Sequence, residues 1–326
     1  MNGREHRWFV LMTSVLPLGG LGVAMFLLWQ RVFGFSDLVA LVVMYVVCGL
    51  GISMGYHRLL AHRSFRTTRA IRIVLATAGA MAGQGPPLIW VAHHRRHHRV
   101  ADRPGDPHSP HLDFEPGFRG MVAGLWHAHL GWLFDEALES DPIRYCSDLV
   151  REKPIRWLSA RFVPVVIGGF VLSGLIGLAV GHTLAAFVTG VLWGGVVRLF
   201  LVNHMTYAVN SVGHYFGRRR YPTNDQSRNV AWLALASFGE AWHNNHHAFP
   251  RSFRHGMRSW EVDISACLIA SLEWFGLATN VIRIGPERMA IKESNGRVAA
   301  GSFPAAAAVP LAHRSPASAV SATDVE

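Results

Sequence analysis

Two copies of one spacing, H-x-x-H-H, constrain this chain more than any other feature. His94, His97 and His98 form the first copy; His243, His246 and His247 form the second. On a helix, residues three and four apart share a face, so each triplet turns its imidazoles toward one small volume. A third group, His57 and His62, lies five apart, roughly 140° of rotation on a regular helix. Those two rings reach one centre only from different sides or across a loosened turn. His214 follows a long apolar run in Asn210-Ser211-Val212-Gly213-His214. These nine of the 19 histidines exceed what one metal ion accepts and suit a pair of ions. A lone helical histidine is more often packed or solvated than a ligand. A contiguous histidine tract can also scavenge metal without chemistry. Here the clusters are separate, follow apolar segments and repeat one spacing, so a structured polynuclear metal site is expected.

The surroundings are apolar. The chain has 326 residues, 50% of them hydrophobic and 16% charged, with a mean hydropathy of +0.22. A net charge of +10 could mean a nucleic-acid partner. The arginines instead gather beside the apolar runs, as on the cytoplasmic face of a membrane protein, so no nucleic acid is expected. Cys48, Cys146 and Cys267 show no C-x-x-C spacing and supply neither a disulfide framework nor a thiolate site.

Along the chain, residues 8–29 are almost unbroken apolar sequence after Arg4 and Arg7. The run is long for a signal peptide and no clean small-residue cleavage site follows, so it reads as a retained span. Gly19, Gly20 and Gly22 lack the strand and acidic partner of a dinucleotide fingerprint and suit helix packing. A second span covers 36–55. Residues 73–92, interrupted by Gly85-Pro86-Pro87, read as an interfacial or re-entrant segment over the site. The more polar stretch 102–160 reads as a cytoplasmic loop with helices, in which His108 and His129 are structural or supporting. Spans three and four cover 162–180 and 184–209. The turn at 181–183 carries no Lys or Arg, so it faces outward. Four spans return the chain to its starting side, which puts every candidate ligand and both termini in the cytoplasm. Residues 260–278 read as an interfacial helix, and 285–326 as an unstructured tail without periodicity. The expected fold is an all-α membrane protein. Four transmembrane helices and a cytoplasmic helical cap, within one domain over 1–284, carry the histidine-rich di-metal site.

With their flanks, these groups resemble the three histidine boxes of the integral-membrane fatty acid desaturases. The flanks are His57-Arg58-Leu59 to His62-Arg63-Ser64-Phe65, Gly239-Glu240 before the last triplet, and Asn210-Ser211 to His214. They look like the acyl-CoA delta-9, or stearoyl-CoA, branch, over roughly residues 35–280. The resemblance implies an O2-dependent enzyme placing a cis double bond, at delta-9, in a saturated acyl-CoA. It also implies two iron ions held by His57, His62, His94, His97, His98, His214, His243, His246 and His247, with Asn210 reaching one iron through water. Gln84, Trp90 and Thr206 match residues lining the bend of the family's substrate tunnel.

Residue chemistry alone leaves the metal open, since imidazole suits zinc, copper, iron or nickel. Nine histidines do not supply the open position and general base of a zinc hydrolase. Glu240, three residues before His243, is placed where a carboxylate can orient a ligating ring from behind. Oxidising an unactivated methylene needs an oxidant made from O2 and a slot that fixes the reacting carbon. One departure concerns the carrier: animal acyl-CoA enzymes have Arg-Asp just before the second box, and this chain has Ala92-His93. His93 itself reads as non-ligating. The chain carries no ferredoxin, flavin or haem signature, so a separate donor, a reductase with ferredoxin or a similar carrier, is expected at the cytoplasmic face. A histidine-box hydroxylase or ketolase would use the same oxidant. A metal transporter would need polar residues inside the spans, which carry almost none.

Overall fold

Three helices in this computed structural model are long and apolar enough to cross a membrane: Phe35–Ala61, Phe162–Gly181 and Leu184–Tyr215. The structure describes residues 16–30, 33–112, 114–135 and 140–301. The expected first span, 8–29, falls partly outside them. Its described part is helix α1 (Leu16–Trp29), 14 residues or about 21 Å, short of the roughly 30 Å hydrocarbon core. The described residues therefore show three candidate spans where the sequence predicts four. Helix α1 packs against the last span through Ala24, beside Trp193 and Val197.

Helix α2 (Phe35–Leu50) runs without a break into a π-helical segment, Gly51–Ala61. Its 27 residues reach about 40 Å, so one end projects beyond a hydrocarbon core. That end carries the first histidine pair. The stretch expected to be interfacial or re-entrant is two helices, α3 (Arg69–Met81) and α4 (Pro87–Val100). Thr68 caps α3, accepting from Ile71 N at 3.3 Å. Pro87 stands in the first turn of α4, where its missing N–H costs nothing. Gly51 and Gly79 let α2 and α3 touch backbone to backbone: a Cβ on Gly79 would lie 2.6 Å from the Tyr56 ring.

Helices α5 (Phe118–His129), α6 (Pro142–Val150) and α7 (Lys153–Ala160) fill the more polar stretch. The spans α8 (Phe162–Gly181) and α9 (Leu184–Tyr215) form a hairpin. Its turn is made by His182 at φ 53°, with Thr183 Oγ1 accepting from Ala186 N at 3.0 Å. A second π segment, Val191–Val197, lies inside α9. The main buried cluster joins α2, α3, α4, α6 and α7 through residues such as Tyr56, Val91, Cys146 and Ile155.

The second triplet sits on a short helix, α10 (His243–Ala248). Helix α11 (Ile264–Trp274) has 11 residues, too few to cross. A two-stranded antiparallel ribbon, β1 (Arg66–Thr67) with β2 (Ala278–Thr279), pairs Arg66 with Thr279 and is the one ladder in an otherwise helical fold among the described residues. Where the sequence predicts an unstructured tail from 285, helix α12 (Pro286–Gly301) follows instead. Pro286 and Glu287 make a favourable first turn, and Glu293 pairs with Arg220 at 3.3 Å. Low hydrophobicity hid this helix, which is held by that ion pair and by Met289 packed against Tyr221, Ala248 and Phe249. Residues 302–326 lie outside the described set.

Candidate metal centre

The π segment resolves the awkward spacing of the first pair. An i→i+5 hydrogen bond, His62 N to His57 O at 3.0 Å, closes the widened turn. The two rings come to 4.8 Å between centroids. Arg95, from the middle of the first triplet, locks that turn by donating to Leu60 O and Ala61 O, both at 2.9 Å. Asp148 holds Arg95 in turn, at 2.6 Å.

All nine patterned imidazoles converge, and they do so in two sets. His57, His62, His94, His98 and His246 form one; His97, His214, His243 and His247 form the other. Each triplet serves both. On α4 the i and i+4 residues, His94 and His98, turn to the first set and His97 to the second. On α10 the roles are exchanged: His246 joins the first set, His243 and His247 the second. Two helices crossing in this sense tie the sets together.

The chemistry of these donors fits metal ions. Burial, reinforced by neighbouring rings, pushes His62, His94, His98, His243 and His246 well below the ordinary imidazole range. His247 falls to about 4, chiefly through burial. These rings are neutral at physiological pH, each with one N–H and one bare lone pair. Carboxylates take the N–H on one side. His97 Nδ1 donates to Asp106 at 2.9 Å, His214 Nδ1 to Asp102 at 2.8 Å, His247 Nδ1 to Asp225 at 2.9 Å and His57 Nδ1 to Glu240. Their Nε2 atoms therefore turn inward, to the Nε2 of another ring: His214 to His243 at 2.9 Å, His57 to His246 at 3.0 Å and His97 to His247 at 3.4 Å. Lone pairs at that range repel unless a cation lies between them. Nitrogens about 2.1 Å from a common first-row ion stand roughly 3.0–3.4 Å apart.

The carboxylates are themselves pinned. Burial alone would raise Asp102, Asp106 and Asp225, but the partner histidines and further hydrogen bonds hold all three well below the usual range. Glu240 is placed by Gly239, at φ 99° in the region that favours glycine. Its carboxylate accepts from Ser53 Oγ, His57 Nδ1 and Arg58 Nη2. Arg58 is fully buried and also bonds Asp263 and the Phe253 carbonyl. Three carboxylates thus stand behind the four-histidine set and one behind the five.

Beside the histidines lies an apolar cavity lined by His57, His94, His243, Asn210, Trp90 and Thr206 among others. Gln84 links two of its walls, accepting from Trp90 Nε1 at 3.2 Å and donating to Thr206 Oγ1 at 2.8 Å. Trp90 stacks on His94 at 17°. Farther along α2 from His57, the lining includes Tyr45, which donates to Ala236 O at 2.8 Å and packs on Phe238.

The other histidines separate clearly. His93 lies outside both sets, bonded to Ser140 at 3.1 Å and packed on Trp132. His108 packs on His97 with centroids 4.3 Å apart, and His129 bonds Ser211 and His204. Sequence reasoning missed Asp102, Asp106, Asp225 and His255. The acids stand in loops with no periodic spacing, although Asp102 and Asp106 close on the first triplet. His255 is fully buried, its ring 4.4 Å from His246 and its Nδ1 3.3 Å from Arg58 Nη2. A lone histidine eight residues after a triplet carries no pattern.

Comparison with known proteins adds a lineage to this geometry. The fatty acid desaturase family profile matches residues 36–263. A hex-5-enoyl-[acyl-carrier protein] acetylenase of Moorena producens is 39% identical over 86% of this chain and 87% of its own. An sn-1 stearoyl-lipid 9-desaturase of Anabaena variabilis is 38% identical over 74% of this chain and 82% of its own. An acyl-CoA C20 Delta5-desaturase of Anemone leveillei is 35% identical over 82% and 78%.

Proposed function

This chain belongs to the fatty acid desaturase family, and from that premise we propose that it removes two hydrogens from a saturated acyl chain to leave a cis double bond, at delta-9. The observation that carries the reading is one apolar cavity bordered by both histidine sets. Per double bond, O2 takes four electrons, two from the broken C–H bonds and two from a separate donor, and four protons, two from those same bonds and two from solvent, and leaves as two waters.

In this reading His57, His62, His94, His98 and His246 hold one iron. His97, His214, His243 and His247 hold the other, with Asn210 reaching it through water. Iron held there supplies, with O2, the oxidising power that an unactivated methylene demands. The protein's own part is placement. Asp102, Asp106, Asp225 and Glu240 fix four rings by their Nδ1–H groups, so that the Nε2 lone pairs point inward before any metal binds. Trp90, Gln84 and Thr206 hold one hydrogen-bonded wall of the cavity rigid, which fixes the pair of methylenes beside His57 and His94. Apolar lining keeps bulk water from the reacting carbons.

For the carrier we propose a lipid-linked acyl chain. Ala92-His93 supports it, because His93 is occupied by Ser140 and Trp132 where acyl-CoA enzymes carry Arg-Asp. The flanks of the first and third boxes favour acyl-CoA, the second reading. Both termini, the histidine sets and the donor's approach are assigned to the cytoplasmic side. The test is the fatty-acid profile of a host expressing the chain, followed by assay of the purified protein with glycerolipid and acyl-CoA substrates. New cis monoenes and close to two irons per chain are expected. A hydroxy acid product, or stoichiometric zinc in active protein, would refute the reading.

A further inference from the structure

A second cleft runs beside Trp242, just before α10, and shares no lining residue with the acyl cavity. Arg218, Arg219, Arg220 and Arg258 line it, with Glu261 and Glu293 as its acids. Both acids are engaged: Glu293 with Arg220 at 3.3 Å and Arg258 at 3.8 Å, Glu261 with Arg220 at 3.9 Å. Arg219 instead bonds neutral oxygens of Thr223 and Gln226. Arg218 and Arg219 are exposed, so the wall keeps a positive surplus.

The same cleft reaches toward the histidines through two aromatic rings. Trp260 is 57% exposed, and it packs edge-on against Trp242, 3% exposed, with centroids 5.4 Å apart. Trp242 is bonded through the backbone to His243, a member of the four-histidine set. Asn229, also in the cleft, fixes the same segment by a 2.8 Å bond to Asn245.

We propose that this cleft docks an acidic one-electron carrier protein, and that Trp260 and Trp242 form the route by which its electron reaches the metal site at His243. The proposal rests on the desaturase reading, which requires two electrons per double bond. At each visit the reduced carrier loses one electron and departs oxidised, and the metal centre gains that electron. No bond to the protein forms or breaks. Charge complementarity favours such a partner and would speed its encounter. An acyl carrier seated here would find no opening to the cavity, whereas an electron needs only the short aromatic line.

The experiment uses the full chain, iron-loaded, in nanodiscs of zwitterionic lipid. A soluble [2Fe–2S] ferredoxin and the acidic soluble domain of a cytochrome b5 serve as probes. Dissociation constants and their salt dependence are measured, then carrier oxidation by stopped flow, with dithionite as a small reductant that bypasses docking. Wild type is expected to bind at least one carrier, more weakly as salt rises. Arg218→Glu with Arg219→Glu should weaken that binding at least tenfold and leave dithionite-driven turnover unchanged. Trp260→Leu should keep the dissociation constant but slow electron transfer at saturating carrier at least tenfold, and Trp260→Phe should restore most of it. The proposal is overturned if neither carrier binds wild type, or if the arginine pair has no effect. It is equally overturned if Arg66→Glu, on the basic surface near His62, weakens binding as much. Loss of response to an acyl carrier or to anionic lipid alone, with carrier binding intact, would overturn it as well. Because binding is read without product, a wild type that binds carrier yet makes no alkene supports the docking surface and sinks the desaturase reading instead.

Discussion

Replacing Asp106 with Asn changes one atom and should cost the four-histidine set one of its donors. Asp106 is 4% exposed and both of its oxygens accept. Oδ1 takes His97 Nδ1–H at 2.9 Å and the His108 N–H at 3.2 Å; Oδ2 takes the same His97 group at 3.0 Å and the Asp102 N–H at 2.8 Å. Whichever way the Asn amide is turned, its NH2 faces an N–H. With the NH2 in place of Oδ1, the clash with the ring is relieved only when His97 moves its proton to Nε2, and that removes the lone pair aimed at the ion; with the NH2 in place of Oδ2, it meets the Asp102 N–H and pushes the side chain off His97. Loss of such an orienting partner typically costs 10–100-fold in metal affinity, or about 1.4–2.7 kcal/mol. Chelator competition on iron-loaded protein, with metal per chain counted by mass spectrometry, should show one iron released 10–100-fold more readily and the other held. Glu152→Gln is the control, since Glu152 pairs with Arg72 and touches no imidazole of either set. If Asp106→Asn kept both irons at wild-type affinity, the carboxylate would be filling space, and the tautomer argument would fail.

Trp90→Ala should remove the ring stacked on His94 and the bond to Gln84, at ~3–5 kcal/mol of stability. In the folded, iron-retaining fraction, delta-9 product should fall on the order of 100-fold; an unchanged rate with a single alkene isomer would make Trp90 mere packing. Tyr45→Ala enlarges the cavity where Tyr45 lines it, so the chain-length profile measured by gas chromatography should shift to longer acyl chains, and an unchanged profile would mean that another residue limits chain length. Reporters fused near Arg103 and after Gly285 should face the cytoplasm and one near His182 the far side; opposite placement of the first two would break the topology. Burial alone would raise the Asp148 carboxyl, but hydrogen bonds and charge from Arg95 and Arg63 hold it down to about 2. A lowered folded pKa stabilises above the unfolded value of about 4 and is lost as pH falls toward 2. Asp148→Asn should therefore lower the thermal midpoint at pH 7, with the gap to wild type closing below about pH 4; a gap constant with pH would exclude the ion pairs as its cause.

Histidine spacing and apolar run length are local properties, and they were enough to mark nine imidazoles, the three long spans and the Glu240 carboxylate beside them. A triplet with i, i+3, i+4 spacing must present its rings on one face, whatever else the chain does. How that face is divided is not local. His97 leaves its neighbours for the set that holds His243, and His246 makes the opposite exchange, because α4 and α10 cross over two centres rather than one. The π turn that brings His57 to His62 depends on packing against α3 at Gly79, and no residue in 51–61 announces it. Asp102, Asp106, Asp225 and His255 owe their places to loops folding back over distances that sequence spacing does not encode. Helix α12 escaped notice for the same reason, since its anchor is the pairing of Glu293 with an arginine 73 residues away. Which side chains can bind metal was written in the chain; for His57, His97, His214 and His247, which nitrogen is left free to do so was decided by the carboxylates that tertiary structure sets behind them.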